Sequence, residues 1–505
     1  MISVQRIGDQ YLVFGGNHPA PDPKSGITLY GPYSKVPSEI AIGIIGNSTT
    51  VDQVWRLLEM CSKRIEGPSE YPLWTQEFPG IQKGSPFNCE LIMRPEWCKT
   101  LRNDDIDKLD GIRGLNKRIG LGVDLFCDEI KKLKEREESP QVFICAPPRH
   151  MMDLCLPKEG DVRGKSGRTA KAERSRRRMI NRHEGQRSLS EFFPDLKQIE
   201  EEYLQQVAGD NFHHFLKAKA MMLHAPTQFV RPYTLDKLFG VQKGNVQDPA
   251  TFAWNLCIGL YYKSGGRPWK IASIPSGTCF IGISFYREKK AFGGGIGTSL
   301  AQVFTPEGEG LVLRGDRFDW AKGEDPHLSK EAAKRLAQEA MKAYEQQVET
   351  RPTRVVIHKS SIFTRQEREG FKEGIGLGSR CDLVTILERS KGIRFFRAGE
   401  QPVIRGTIAA LPDGTRLIFT KGYIPFMQVY PGARVPRPLE VIFDEISTPP
   451  LDICKEILAL TRLNWNSADF CGMLPMTLQF SRDVGKILRE VPPGILPETR
   501  YLFYM

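Results

Sequence analysis

Five polar residues in the stretch 213–263 have the types and spacing to hold a phosphate monoester and an unpaired base: His213, Lys217, Gln228, Asn255 and Lys263. His213 and Lys217 stand four apart in HHFLK, so on a helix they share a face. Gln228 follows in APTQFV. Asn255 and Lys263 are eight apart in NLCIGLYYK and read as one face of a second helix. Two ammonium groups neutralise phosphate charge, while the amides and the ring supply neutral hydrogen bonds. Singly, each residue reads first as a plain surface or core group. Together they form a coherent anion-binding set.

Other stretches imitate known chemistry without carrying it. GDVRGKS (160–166) has three residues, not four, between its first glycine and GKS, and no clear strand precedes it, so it is not a nucleotide-binding P-loop. GGGIG does not fit GxGxxG and reads as a hairpin turn. The pair His213–His214 lacks a second His or Cys at ligand spacing. The eleven cysteines are scattered with no CxxC pair. Neither a zinc site nor a disulfide framework is expected, and a reducing cytoplasm is the expected compartment. No run reaches the roughly 18 apolar residues of a membrane span. MISVQRIGDQYLVFGG lacks the basic, apolar and small-residue sections of a signal peptide.

The formal net charge of +11 is concentrated. Between Arg163 and Arg187 eight Arg and two Lys face only Glu173 and Glu184, so this insert alone carries +8. Such density reads as a solvated segment. The functional reading beside it is an arm that binds a polyanion by releasing counterions, with Arg176, Arg177 and Arg178 at its centre.

The elements that must position these residues follow from periodicity. A length of 505 residues allows two to four domains. The first 35 residues, rich in Gly and Pro, read as a lead-in. IAIGIIG (40–46) reads as a buried strand feeding the helix VDQVWRLLEMCSKRI. The helix LGVDLFCDEIKKLKERE then leads into the strand QVFICAPP, an alternation that predicts a parallel α/β sheet. After the insert, 211–223 reads as a helix. From about Gly277 come the strand TCFIGISFYR, a hairpin into LAQVF, the helix HLSKEAAKRLAQEAMKAYEQQV and the strand RVVIHKS. The helix QEREGFKEGI, the strand DLVTILER and the helix LDICKEILALTRLNWNS complete the pattern.

The residues HHFLKAKAMMLHAPTQFV and WNLCIGLYYKSGGRPW resemble the MID domain of Argonaute proteins, in which helix-borne side chains hold the 5′ phosphate of a guide strand. FIGISFYR, VVIHKSSIF, LTRLNWNS, MLPMTLQFSRDVGKIL and the terminal YLFYM resemble the PIWI domain. The resemblance implies an α/β fold: a lead-in at 1–35, a Rossmann-like MID domain at 36–272 carrying the basic insert 163–187, and an RNase H-like PIWI domain at 273–505. It assigns the 5′-phosphate pocket to His213, Lys217, Gln228 and Lys263, with Asn255 beside them. A Mg2+ ion would be held there with the help of the Met505 C-terminal carboxylate. The length leaves no room for the further domains of a long Argonaute and points to the short prokaryotic kind.

RNase H-like nucleases use clustered carboxylates to hold two divalent ions. Where the family has its first Asp this chain has Ser284, in Gly282-Ile283-Ser284. Where the family has its second this chain has Ser360, in His358-Lys359-Ser360-Ser361. Hydroxyls are poor Mg2+ ligands, and Lys359 adds positive charge beside the second position. The resemblance therefore implies recognition without cleavage: a guide RNA, a complementary single-stranded DNA target, and a partner bearing an APAZ region fused to a Sir2 or TIR NADase or to a nuclease. Target recognition would switch on that effector in a prokaryotic immune response, with loss of NAD or DNA. Arg462, Asn464 and Asn466 in LTRLNWNS read as backbone contacts or as the polar end of a helix. Two other readings stand beside this one: an active guide-directed endonuclease, and a protein that binds nucleic acid through its insert without a guide.

Overall fold

The computed structural model describes residues 2–34, 36–156, 211–239, 248–287, 296–304, 310–315, 325–388, 392–432, 434–492, 495 and 497–505. They fall into two compact units. The smaller comprises Ala41–Leu58 and Met93–Val246; the larger comprises Met1–Ile40, Glu59–Ile92 and Gln247–Met505.

The chain opens with β1 (Ser3–Arg6), which belongs to the larger unit. The smaller unit is built on β2 (Glu39–Gly46), α1 (Ser48–Cys61), β3 (Glu90–Thr100), α2 (Leu115–Lys134), β4 (Val142–Ala146), α3 (211–221) and β5 (Thr227–Phe229). The sheet order is β3-β2-β4-β5, with β2, β4 and β5 mutually parallel. This is the alternating strand and helix arrangement that the periodicity predicts. Asn47 caps α1 by accepting from the Thr50 amide at 2.9 Å, and the Thr50 hydroxyl donates to Ala146 at 2.7 Å, tying the helix start to β4. Along α2 the buried stripe Ile119, Val123, Phe126, Ile130 and Leu133 has helical spacing. Burying these five side chains stabilises by on the order of 10 kcal/mol before entropy is subtracted. Phe126 meets Phe212 of α3 edge to face at 5.8 Å, which fixes α3 against α2.

The larger unit continues with α4 (Pro249–Lys263), β6 (Thr278–Arg287), β7 (Ile296–Phe304), β8 (Gly310–Arg314), α5 (Lys330–Val348), β9 (Arg354–Lys359), α6 (Arg365–Ile375) and β10 (Arg380–Leu387). Then follow β11 (Thr407–Ala410), β12 (Arg416–Ile418), β13 (Leu439–Glu445), α7 (Pro450–Leu460) and α8 (Met476–Leu488). Nine strands form one sheet in the order β1-β11-β12-β13-β10-β9-β6-β7-β8. Its centre, β6, β9 and β10, is parallel; the flanking pairs are antiparallel.

Alternation along the strands divides two faces. Cys279, Ile281 and Ile283 of β6, Val355 and Ile357 of β9 and Leu383 of β10 join one core with α5 and α6. On the opposite face Gly282 of β6 and His358 of β9 meet Thr477 of α8. A Cβ at Gly282 would lie 2.0 Å from the Thr477 carbonyl oxygen, so only glycine lets α8 lie this close to β6.

Two expectations are corrected. The last helix expected through residue 467 ends at Leu460, because the Thr461 hydroxyl donates back to Leu458 at 2.6 Å and its carbonyl accepts from Gly472 at 2.7 Å. The lead-in contains β1, an edge strand paired with Thr407–Ala410. All four residues of β1 are exposed, so no alternation marked it.

Candidate functional site

Within the smaller unit, α3 carries His213 and Lys217 and packs against β5, which carries Gln228. Lys217 is only 1% exposed, and its ammonium donates to the Thr227 carbonyl, one residue before Gln228. The His213 ring lies 5.7 Å from Phe229, one residue after it. The two α3 side chains thus meet the residues on either side of Gln228, whose own amide donates to the Phe229 carbonyl at 3.3 Å. β5 is held in register by pairing Ile144 with Gln228. The helical spacing of four and the strand that follows it place an ammonium and a ring against the strand that carries the amide.

Within the larger unit, Asn255 and Lys263 lie on α4, which Asp248 caps by accepting from the Thr251 amide at 2.9 Å. Lys263 is 3% exposed, and burial pushes its ammonium down to about 7. The terminal turn Tyr501–Phe503 packs against α4, and Met505 is buried. Asn255 supports the fold locally, since its Oδ1 accepts from the Ala468 amide at 2.8 Å and fixes the loop after α7. In that loop Asn464 accepts from the Asn466 amide at 3.0 Å, leaving Asn466 at the surface.

Arg462 is 1% exposed; its guanidinium donates to the carbonyls of Phe470, Gln10 and Pro21 and lies 4.3 Å from the Phe470 ring centre. Burial lowers it to about 10. Its guanidinium ties the N-terminal segment to the loop after α7, the packing role that the sequence reading set beside a backbone contact. Nothing in the residues around Arg462 signals this, because its partners Gln10 and Pro21 lie more than 400 positions away. Arg176, Arg177, Arg178 and the rest of the insert 163–187 lie outside the described residues.

Ser284 of β6 and Ser360, just beyond β9, come level across the parallel pair, one step past the register pair Lys359 and Ile283. Ser284 is 4% exposed, and among the described residues the hydroxyls of Ser284 and Ser361 have no hydrogen-bond partner. His358 bonds Thr477 of α8 at 2.9 Å through Nδ1; burial, reinforced by Arg354, holds it down to about 3, so it is neutral. Among the described residues no group of three or more His, Cys, Asp or Glu could hold a metal. A donor set of neutral hydroxyls and a neutral imidazole does not fit a pair of Mg2+ ions, which require carboxylates.

Lys359 is not part of this cluster. It continues the Val355 and Ile357 face of β9, opposite to Ser284 and His358, and its Nζ lies 2.6 Å from Glu367 with both side chains sealed from solvent. Its charge is therefore neutralised on the far side of the sheet, and the expectation that it repels a metal beside Ser360 is corrected.

Neither a protein-family model nor a curated protein matches this chain. Solved structures do. Clostridium butyricum Argonaute, bound to a guide DNA and a 19-mer target DNA, is similar over 99% of this chain and 55% of its own, with a TM-score of 0.63 and 15% identity. Drosophila Piwi matches over 99% of this chain and 56% of its own, with a TM-score of 0.58 and 14% identity. A. aeolicus Argonaute matches over 98% and 55%, with a TM-score of 0.52 and 15% identity. The chain spans about half the length of these structures. At such identity the likeness establishes the fold: an α/β architecture in which a Rossmann-like half precedes an RNase H-like half, as in the MID and PIWI regions of Argonautes.

Proposed function

We propose that this chain is a guide-dependent nucleic-acid recognition subunit of the short prokaryotic Argonaute kind, which holds a 5′-phosphorylated guide RNA and pairs it with single-stranded DNA without cutting it. The observation that carries the reading is the contrast between two sites. Lys217 is buried against the strand that bears Gln228, and Lys263 is buried on α4. At the RNase H-like position, hydroxyls stand where two-metal hydrolysis needs carboxylates. In this reading 36–272 forms the MID domain and 273–505 the PIWI domain. Base pairing reads the sequence while the protein reads phosphate and backbone shape.

In this reading His213, Lys217 and Gln228 of the smaller unit serve the 5′ phosphate, and Asn255 and Lys263 of α4 are the further residues that the family resemblance implies for it. A single carboxylate, that of Met505, fits a Mg2+ ion that arrives with the phosphate and keeps water in its shell. The ion would screen charge between phosphate and carboxylate; the lysines fix the position of the phosphate. An APAZ-bearing effector, an NADase or a nuclease, supplies the catalysis, in the cytoplasm of a cell under phage or plasmid attack.

The test compares 5′-phosphorylated with 5′-hydroxyl guides by fluorescence anisotropy. Changing Lys217 and Lys263 together to Ala is expected to cost the phosphorylated guide at least about a hundredfold in affinity, since hydrogen bonds to charged groups contribute about 1.5–3 kcal/mol each. The 5′-hydroxyl guide should change little. Equal losses for both guides contradict the pocket. Target cut at one position in Mg2+ or Mn2+ contradicts the inactive reading, and mass spectrometry of co-purifying protein tests the effector.

A further inference from the structure

We propose that the segment 392–400, GIRFFRAGE, is a nucleic-acid contact in which Phe396 stacks on a base and Arg394 and Arg397 meet the flanking phosphates. The inference rests on the guided-binding reading, but its residues belong to no part of the phosphate pocket or of the serine cluster. Phe396 is 81% exposed, although neighbouring aromatic rings are anchored. Phe395 packs edge-on against the buried Phe419 at 5.7 Å, and the Arg397 guanidinium lies 5.9 Å from the Tyr423 ring centre. Anchoring on both sides turns the Phe396 ring outward. Gly392 (φ 76°) and Gly399 (φ 100°) bracket the segment in left-handed conformations that place its turns.

Charge identifies the occupant. From 392 to 437 there are seven basic residues, Arg394, Arg397, Arg405, Arg416, Lys421, Arg434 and Arg437, against Glu400 and Asp413. Of the seven only Arg405 is buried, bound to Asp9 at 2.8 Å. An exposed ring among surface guanidiniums fits a polyanion with π-faces, since stacking gives sequence-tolerant affinity and the cations track the backbone. Position in the fold agrees. The segment follows β10, which is parallel to β6 and β9, so it leaves the sheet at the end towards which Ser284 and Ser360 lie. An apolar protein partner would meet the exposed Arg397, Arg434 and Arg437 and the half-buried Arg394, Arg416 and Lys421, a poor match for a dry interface.

The test uses the full chain, with Phe396→Ala and Phe396→Trp, and measures guide affinity, target affinity of the guide-loaded protein and binding of a guide-free single-stranded 20-mer at two salt concentrations. Phe396→Ala is expected to leave the melting temperature and 5′-phosphate preference unchanged and to weaken target binding about tenfold, the scale of one lost base stack. Phe396→Trp should restore it. Quenching of a 2-aminopurine base in the bound strand should fall in the Ala variant and return with Trp. Unchanged target affinity in the Ala variant overturns the contact, as does a loss that Trp does not restore. Wild-type protein that binds none of these strands overturns the guided reading and this contact together. Loss of 5′-phosphate preference with normal stacking at Phe396 overturns only the pocket.

Discussion

Lys359 and Glu367 form an ion pair with no solvent exposure on either side chain, Nζ to Oε1 2.6 Å. Glu367 also accepts from the Leu328 amide at 2.9 Å and the Thr364 amide at 2.8 Å, so one carboxylate joins β9, the entry to α5 and the cap of α6. Removing one charge of a buried pair leaves the other unpaired. Lys359→Met is expected to destabilise by about 3–5 kcal/mol. Lys359→Met with Glu367→Gln should recover part of that loss. Urea denaturation checks both, and a single-variant cost under about 1 kcal/mol would show that the pair does not hold these elements.

Lys263 gives a pH dependence of definite sign. Burial lowers its folded-state value from 10.5 to about 7, while the unfolded chain keeps the ordinary value. Between those values the unfolded state binds more protons, so guide-free stability rises with pH through that window; below about 7 the buried charge is a constant cost. Guide binding runs the other way, because a phosphate pairs with the protonated form. Affinity for a 5′-phosphorylated guide is expected to fall as pH rises from 6.5 to 9, with proton uptake visible by calorimetry in buffers of different ionisation enthalpy. Lys263→Met should abolish the uptake; uptake that persists excludes Lys263 as its source.

Ser284 on β6 and Ser360, just beyond the end of β9, come level one step past the register pair Ile283 and Lys359. Two carboxylates there would repel. Changing both to Asp is expected to lower the melting temperature without metal and to make it rise with Mn2+, whereas the wild-type chain should show no Mn2+-dependent shift from this site. A double variant indifferent to Mn2+ would mean that these positions do not face one another.

Arg462 separates structural from electrostatic arginines. Arg462→Ala removes donors to three carbonyls in a dry site and is expected to cost about 3 kcal/mol or more of stability. The salt dependence of nucleic-acid binding should be unchanged. A shallower salt slope in a folded variant would show that the guanidinium reaches phosphate.

Much of this architecture was legible locally. The strand TCFIGISFYR is β6 at its full length, and the helix-to-strand spacing from HHFLK to TQFV places Lys217 against the strand of Gln228. The hydroxyls at Ser284 and Ser360 were equally plain, since residue type does not depend on the fold. Sequence by itself determined helix periods and the chemistry available at each position, because those follow from contacts within a few residues. Only tertiary structure decided which neighbours meet. Lys359 turns away from Ser360 because adjacent strand residues face opposite sides of the sheet, and the burial of that far side by α5 and α6 arises elsewhere in the chain. Arg462 is structural because carbonyls at Gln10 and Pro21 converge on it. β1 is an edge strand because Thr407–Ala410 offers it a partner. Such long-range hydrogen bonds and ion pairs leave no period in the sequence, and a polar side chain reads the same whether its partner is a distant carbonyl or a phosphate.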